Sequence, residues 1–258
     1  MSLELFPTIE PADARADLAL EVHRRLCDAY GCPVAYFHSL DPLGELVSSL
    51  LSHRTKNSDS GRAFRQLCNQ FGVRESKAWD GVADGDVAAV ELAIAPCTWP
   101  EHKAPTIQHV LRAVREKVGR LDETALDFLG DLSVPDARAW LESFRGVGRK
   151  TSAAVLSFSR LRMAALPVDS HHHRVAQRLG LIGPKVDVAA AHDALAALLP
   201  PDFDAQQTYD HHEVLMFHGQ RVCHWRNPAC AACVLLDLCP TGRARTGGPG
   251  STPASGSA

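Results

Sequence analysis

Four cysteines in the last quarter of the sequence constrain most strongly what this chain folds into. Cys223, Cys230, Cys233 and Cys239 follow the spacing C-x6-C-x2-C-x5-C, so half of the eight cysteines lie within 17 consecutive residues. Thiolates that bind one small inorganic centre have to converge, which requires a short segment rich in turns, and Asn227-Pro228 supplies a bend. The spacing therefore predicts a metal centre, and the ligands alone suit either zinc or a [4Fe–4S] cluster.

The composition indicates a folded, soluble chain. With 45% apolar and 22% charged residues and a formal net charge of −3, it differs from disordered chains, collagens and uniformly basic nucleic-acid binders. The most apolar stretch, 186–199, contains three polar side chains and is too short to span a membrane. An acidic N-terminal segment stands where an export signal would be basic and then apolar. We expect an intracellular protein, in which structural disulfides are disfavoured. The cysteines outside the cluster are interpreted as core or surface thiols: Cys27, Cys32, Cys68 and Cys97.

Apolar residues recur at helical spacing along most of the chain. Asp41-Pro42 is typical of a helix start, and five apolar residues follow it at i, i+3, i+4, i+7 and i+8 between 43 and 51. Similar patterns predict helices over about 11–30, 58–72, 85–95, 103–118, 135–143, 149–162, 171–179, 187–199 and 206–222. Only 33–37 resembles a strand. We predict an all-α fold, followed by a disordered tail at 241–258, which has no large apolar side chain.

A glycine-rich turn between two predicted helices is a candidate anion-binding site. Gly146-Val147-Gly148 permits positive φ angles and close backbone approach, and the helix from Arg149 directs unpaired N–H groups outward. Many helix–helix turns contain glycine, so this motif alone is weak. Lys150 lies in the first helical turn, where the helix dipole, Arg149 and partial burial disfavour the ammonium form. These conditions prepare a lysine for Schiff-base chemistry, and a solvated surface charge is the alternative.

Another helix start follows at Pro167-Val168-Asp169-Ser170-His171. Asp169 or Ser170 there is predicted to be the N-cap, a role worth ~1 kcal/mol. The three consecutive histidines cannot all face one metal on a helix, so we predict that His172 and His173 lie on the surface or face a ligand.

Together, these features resemble the endonuclease III family of helix–hairpin–helix DNA glycosylases. The resemblance covers about residues 18–240 and includes the cysteine spacing, the preceding segment 211–219 and the hairpin about 75 residues before the cluster. It implies two helical domains: a six-helix barrel with the helix–hairpin–helix at 35–163, and a cluster domain made of 1–34 and 164–240. It also favours a structural [4Fe–4S] cluster over zinc.

The resemblance implies a bifunctional DNA glycosylase and AP lyase that removes oxidised pyrimidines from duplex DNA in base excision repair. Lys150 would attack C1′ of the damaged nucleotide, and Asp169, in an element resembling V-D-[ST]-H, would stabilise the oxocarbenium-like sugar. β-Elimination then cuts the strand. The implied partner is damaged double-stranded DNA, which a monomer would bind in a cleft between the domains. The protein is expected to be intracellular in any case, and cytoplasmic and nucleoid-associated if bacterial. The residues implied to contact DNA are Ser52, Arg54, Gly146, Val147, Gly148, Arg149, Thr151 and His171.

The sequence departs from the family pattern at several positions. Arg54 stands where the family commonly has a glutamine that fills the gap left by the everted base, and Arg145 stands where it usually has proline. Thr98 and Pro100 replace a glycine and an aromatic residue. These changes leave Lys150 and Asp169 untouched but affect contacts with the opposite strand. Two alternatives remain: a monofunctional glycosylase for mispaired adenine, whose members usually lack a lysine at the position of Lys150, and a DNA-binding relative with little catalysis.

The charge distribution indicates a local basic face. Between 142 and 183, seven basic residues stand against two acidic ones, a net charge of +5. We therefore expect these residues to form a basic DNA-binding face on an acidic protein: Arg145, Arg149, Lys150, Arg160, Arg162, Arg174 and Arg178, together with Arg54, Lys56 and Arg62.

Overall fold

A computed structural model describes residues 12–247, and these residues are almost entirely helical. They form thirteen α-helices and two 3-10 helices, with no strand beyond a single bridge between Ala78 and Asp122. In chain order the α-helices are α1 (Ala12–Tyr30), α2 (Pro42–Ser52), α3 (Asn57–Gln70), α4 (Val73–Ser76), α5 (Asp80–Asp84), α6 (Val87–Ala93), α7 (Pro100–Val118), α8 (Val134–Glu142), α9 (Arg149–Phe158), α10 (Ser170–Leu179), α11 (Val188–Ala196), α12 (Ala205–Arg221) and α13 (Pro240–Thr246). The 3-10 helices span Asp127–Asp131 and Cys230–Ala232. The prediction of an all-α fold is confirmed.

Helix starts follow the capping residues that the sequence offers. Oδ1 of Asp41 accepts a hydrogen bond from the Gly44 N–H at 2.8 Å, and Pro42 follows in the first turn of α2. At α12, Asp204 and Gln207 form a reciprocal capping box. Asp169 caps α10 with a single hydrogen bond, which its side chain accepts from the His172 N–H. Local chemistry thus fixes where these helices begin.

The chain divides into two helical units, which we call the hairpin unit (residues 36–167) and the cysteine unit (described residues 12–35 and 168–247). The boundaries predicted for the domains were 35–163 and 1–34 with 164–240, which differ from these by a few residues. That the hairpin unit is a six-helix barrel and the cysteine unit a cluster domain stays a prediction.

In the hairpin unit, α9 packs against α2 and α8. Every residue of α9 from 151 to 158 is buried, and the five apolar residues of α2 between 43 and 51 join the same core. Ser152 Oγ donates to Oε1 of Glu142 at 2.6 Å, which ties α9 to α8. The start of α9 is therefore attached to a rigid core.

In the cysteine unit, α12 packs against both α1 and α10. Tyr209, Val214 and Leu215 of α12 are fully buried, as are Val22 and Leu26 of α1. Burial of this apolar surface is the main force that holds the two segments of the unit together.

Two expectations need correction. Residues 241–246, predicted as part of a disordered tail, belong to α13. The helix forms because Pro240 occupies its first turn and Sγ of Cys239 caps it, accepting from the Gly242 N–H at 3.2 Å. The rest of the predicted tail, 248–258, lies outside the described residues. Cys27 and Cys32, expected as thiols, form a disulfide, because Gly31, with φ 87°, turns the chain after α1 and brings their Cα atoms to 5.0 Å.

In the part of the chain that is described, no helix combines the length and apolar character needed to cross a bilayer.

Candidate catalytic and cysteine sites

The glycine-rich turn links α8 to α9 and is anchored by its central residue. Val147 is 5% exposed and belongs to the core of the hairpin unit. Gly146 has φ +101°, and a Cβ atom there would lie 2.8 Å from Cγ2 of Thr106, so glycine is required for two reasons. Gly148 is extended, with φ −104° and ψ 179°, so only one of the two glycines uses positive φ. Gly148 is also the N-cap of α9 and offers no side-chain cap to the first-turn N–H groups, as anion binding requires.

Lys150 is the second residue of α9 and is half-buried. Its Nζ donates to Oγ of Ser52, at the end of α2, over 3.5 Å. The next residue, Thr151, is only 1% exposed, and its Oγ1 lies 2.9 Å from Nε2 of His53. The structure thus brings Ser52 and Lys150 together, whereas Thr151, which the sequence predicted to contact DNA, is buried.

A buried lysine that the sequence did not reveal fixes the segment after α2. Nζ of Lys103 donates to the carbonyl oxygens of Leu51 at 2.6 Å and His53 at 2.8 Å, and to Oγ1 of Thr55 at 2.7 Å. These bonds satisfy carbonyl groups that the helix end leaves open. Burial lowers the pKa of Lys103. No local sequence signal could have found this contact, because Lys103 and Leu51 are 52 residues apart.

Arg54 adopts a left-handed conformation and lies beside an exposed aromatic side chain. Its φ is 51°, and its guanidinium carbon lies 5.7 Å from the centroid of the Trp99 ring. Trp99 is 48% exposed and also has positive φ, at 53°. Thr98 Oγ1 donates to the Arg54 carbonyl oxygen at 3.0 Å, which connects the two segments. The sequence analysis identified Thr98 and Pro100 as departures from the family pattern, but it did not identify Trp99 between them.

In the cysteine unit, Asp169 is half-buried at the start of α10. Its Oδ1 accepts a hydrogen bond from the His172 N–H at 2.7 Å. Burial alone would raise the pKa of Asp169, but the nearby imidazole of His212 and the His172 N–H outweigh burial, so the pKa is lowered. Asp169 is therefore an oriented carboxylate that stays ionised at neutral pH.

The histidines after Asp169 differ in environment. His171 is half-buried, and its Nδ1 lies 3.1 Å from a guanidinium nitrogen of Arg174. His172 is completely buried, so the prediction that it lies on the surface or faces a ligand is wrong. The reason is its position on the face of α10 that packs against α12, where its ring lies 5.4 Å from that of His211. His173 is half-buried and contacts the Val186 carbonyl oxygen.

A buried carboxyl group on α12 is a further feature that the sequence reading missed. Glu213 is 5% exposed. Burial, followed by the negative charges of Asp169 and Asp210, raises its pKa to about 7. An acidic group with a pKa near neutrality thus belongs to the surroundings of Asp169.

The expected basic face is smaller than the sequence indicated. Arg160 pairs with Asp127 at 2.6 Å, and Arg162 lies over the Tyr36 ring at 3.4 Å. Two more of the seven basic residues hold the segment 223–239, which we call the cysteine segment. Arg174 donates to the carbonyl oxygens of Cys223 and of Gly219 on α12, and Arg178 donates to Sγ of Cys223. The other three basic residues lie in the turn and in the first turn of α9, at 145, 149 and 150; Arg145 is exposed, and Arg149 and Lys150 are half-buried.

The four cysteines of the sequence motif lie together. All four line one pocket, closed by apolar side chains that include Leu179 and Leu235. None of the four forms a disulfide: Cys223, Cys230, Cys233 and Cys239. Three of the sulfurs accept hydrogen bonds. Arg178 donates to Sγ of Cys223 at 3.1 Å, the Leu235 N–H to Sγ of Cys233 at 3.4 Å, and the Gly242 N–H to Sγ of Cys239 at 3.2 Å. Donors of this kind suit thiolates that bind a metal centre.

The two candidate centres differ in how they arrange four cysteine ligands. Among residues 12–247, no three His, Cys, Asp or Glu side chains are arranged to hold a single metal ion. Zinc would require all four sulfurs at about 2.3 Å from one ion. In a [4Fe–4S] cluster each cysteine binds a different iron, so the sulfurs stand farther apart around a larger centre. Four thiols that line one pocket supply the donors that either centre would need.

Sequence relatives identify the family of this chain. No protein-family model matches the chain. Endonuclease III of Escherichia coli is 36% identical over 220 residues, which cover 85% of this chain and 93% of that protein. A relative from Arabidopsis thaliana is 32% identical over 181 residues, which cover 70% of this chain and 57% of the plant protein. A solved structure of a trapped endonuclease III–DNA covalent intermediate has a TM-score of 0.72 at 22% identity, over 90% of this chain and 98% of that one, and shares its fold. The chain belongs to the endonuclease III family.

Proposed function

We propose that this protein is a bifunctional DNA glycosylase and AP lyase that removes oxidised pyrimidines from duplex DNA. Family membership supports the coarser part of this proposal, a DNA glycosylase of base excision repair. The observation that carries the finer part is the position of Lys150. Lys150 lies in the first turn of α9, directly after the glycine-rich turn, and the N–H groups of this first helical turn lack a side-chain cap. A nucleophile and a phosphate-binding element are therefore adjacent in the chain.

The chemistry assigns a role to each residue. The Lys150 nitrogen attacks C1′ of the damaged nucleotide, while the bond from C1′ to the base breaks and the base leaves with the electron pair and gains a proton. The resulting ammonium then loses a proton, and its nitrogen lone pair forms the C=N bond as the bond from C1′ to the ring oxygen breaks. The ring oxygen leaves with the bonding electrons and takes up a proton, so a protonated imine forms. Loss of a proton from C2′ expels the 3′ phosphate. Asp169, ionised and held by the His172 N–H, stabilises the positive charge that develops on the sugar.

The four cysteines of the motif would hold a [4Fe–4S] cluster. When bound, this group supplies structural rigidity, because base excision transfers no electrons. The protein's own contribution is visible in Arg178, which donates both to Sγ of Cys223 and to the carbonyl oxygens of His224 and Trp225. Arg178 thus connects α10 to the first part of the cysteine segment and positions it for the centre.

Borohydride trapping tests the proposal. Wild-type protein is incubated with a duplex that carries one oxidised pyrimidine or one abasic site, and borohydride reduces the imine to a stable covalent adduct. We expect wild type to be trapped and Lys150→Gln not to be. Lys77→Gln is the matched control, because Lys77 is an exposed lysine of the hairpin unit that pairs with Glu123. Trapping of Lys150→Gln at the wild-type rate would remove Lys150 from this role.

The same assay separates the alternatives. A monofunctional glycosylase for mispaired adenine would release adenine without a trapped adduct, and a relative with little catalysis would bind DNA without either product. Asp169→Asn tests the second residue. We expect it to lower base release by orders of magnitude and to leave DNA affinity within about twofold, because the amide keeps the shape but not the charge.

A further inference from the structure

A histidine that the proposed reaction does not use lies next to Lys150. His53 directly follows α2, and its Nε2 lies 2.9 Å from Oγ1 of Thr151. Ser52, one residue earlier, has its Oγ 3.5 Å from Nζ of Lys150. Two consecutive residues at the end of α2 therefore contact two consecutive residues in the first turn of α9. This arrangement lies entirely within the hairpin unit.

The backbone that carries the His53 side chain is fixed from the other side. Lys103 of α7 donates to the His53 carbonyl oxygen at 2.8 Å and to Oγ1 of Thr55 at 2.7 Å. Oγ1 of Thr55 in turn accepts from the Thr98 N–H at 3.1 Å. Since these contacts hold the segment on both sides of His53, the imidazole starts from a defined position, and the bond to Thr151 fixes its orientation.

The surroundings keep this imidazole neutral. Burial, then the ammonium group of Lys150 on α9 and that of Lys103 on α7, lower the pKa of His53 to about 4. A neutral imidazole has one donor and one acceptor nitrogen, so it bonds to a threonine hydroxyl without adding positive charge beside the amine. A neutral His53 ring can therefore lie beside Lys150, which has to react as a free amine.

We propose that His53 is a positioning residue for Lys150. Through Thr151, its ring ties the first turn of α9 to the end of α2 and restricts the positions that the amine takes when the sugar arrives. This inference rests on the proposed function, because it assigns His53 to the reaction of Lys150. Restricting a nucleophile to its productive orientations accelerates a reaction without changing how tightly the substrate binds.

The test compares single-turnover trapping rates on a duplex with one abasic site. His53→Ala and Thr151→Val are each expected to lower the rate about tenfold, and the double variant to be no slower than either alone, since both remove the same bond. His53→Gln retains a neutral donor and acceptor and is expected to stay within about threefold of wild type. His109→Ala, which removes an exposed imidazole of α7, is the control and should match wild type. DNA affinity should stay within about twofold in all variants.

The outcomes separate this inference from the proposed function. A wild type that is never trapped refutes both. A trapped wild type with an unchanged His53→Ala rate refutes only the positioning role. So does a double variant whose loss equals the product of the single losses, because the two side chains would then act independently. The pH profile gives a last criterion: if His53→Gln loses the acidic limb that wild type shows, His53 accepts a proton in the reaction and the positioning role is refuted.

Discussion

Replacing Glu213 by glutamine is expected to stabilise the protein at alkaline pH and to have little effect at acidic pH. Glu213 is 5% exposed, and burial together with Asp169 and Asp210 raises its pKa from 4.5 to about 7. A carboxyl whose pKa is higher in the folded chain binds its proton more tightly there than in the unfolded chain. Its contribution to stability is therefore full below about pH 4.5 and is lost as the pH rises through about 7.

The magnitude follows from the difference between the two pKa values. Each pKa unit corresponds to about 1.4 kcal/mol, so the rise from 4.5 to about 7 amounts to roughly 3 kcal/mol in the free energy of unfolding. Near pH 8 the wild-type carboxyl is ionised and buried, and glutamine, which is neutral and similar in shape, removes most of this cost. Near pH 5 the folded wild type still holds its proton, so the expected gain falls to about 1 kcal/mol or less.

Urea unfolding, followed by circular dichroism, measures the difference in the free energy of unfolding between Glu213→Gln and wild type, once near pH 5 and once near pH 8. Glu116→Gln is the matched control, because Glu116 is an exposed glutamate on α7 whose surroundings change little on unfolding. We expect the control to shift stability equally at both pH values. If Glu213→Gln destabilises the protein near pH 8, the wild-type carboxylate is ionised and makes favourable contacts, and the reasoning from burial is refuted.

Two further predictions concern the buried Lys103 in the hairpin unit and the cysteine ligands in the cysteine unit. Lys103→Met leaves the carbonyl oxygens of Leu51 and His53 without their donor and is expected to lower the free energy of unfolding by about 2–4 kcal/mol, measured by urea unfolding; a loss below about 0.5 kcal/mol would contradict this. Cys230→Ser is expected to lower the iron content and visible absorption of protein purified without oxygen, whereas Cys68→Ser, which changes a buried thiol of the hairpin unit, should retain both. A colourless wild type with stoichiometric zinc would exclude the iron–sulfur centre.

The helices were predictable where their signals are local. Asp41-Pro42 and the apolar stripe that follows lie within eleven consecutive residues, and the structure has α2 there. The end of α9 was misplaced, at 162 where the helix ends at Phe158, because Ser159 is extended and Arg162 takes a φ of 49°. Nothing in the sequence marks these conformations. The cap of α13 was missed because its acceptor is a cysteine sulfur, where the usual caps are oxygens.

The candidate site was predictable only where its residues are neighbours in the chain. The turn at 146–148 and Lys150 are contiguous, so their relation follows from helix geometry alone. Lys103 and His53 were missed because their contacts join residues that are distant in the sequence. Lys103 lies 50 positions from His53, and His53 lies 98 positions from Thr151, and no local pattern predicts such contacts. His172 is a different case, because Val175, Ala176 and Leu179 follow it at i+3, i+4 and i+7. Helical periodicity thus placed it on the buried face, and only its polar character argued otherwise.

The arginines show why a charge count overstates a binding surface. A net charge of +5 between 142 and 183 predicted a broad basic face, but it includes Arg174 and Arg178, whose donors bind carbonyl oxygens and a sulfur within the cysteine unit. A guanidinium that already satisfies such acceptors cannot turn to a phosphate without leaving them unpaired. The other three basic residues of this stretch lie at 145–150, next to the first-turn N–H groups of α9, which lack a side-chain cap. The proposed phosphate recognition by this unit would therefore depend on a short segment in which backbone donors and a few cations act on the same anion, and the proposed nucleophile, Lys150, belongs to that segment.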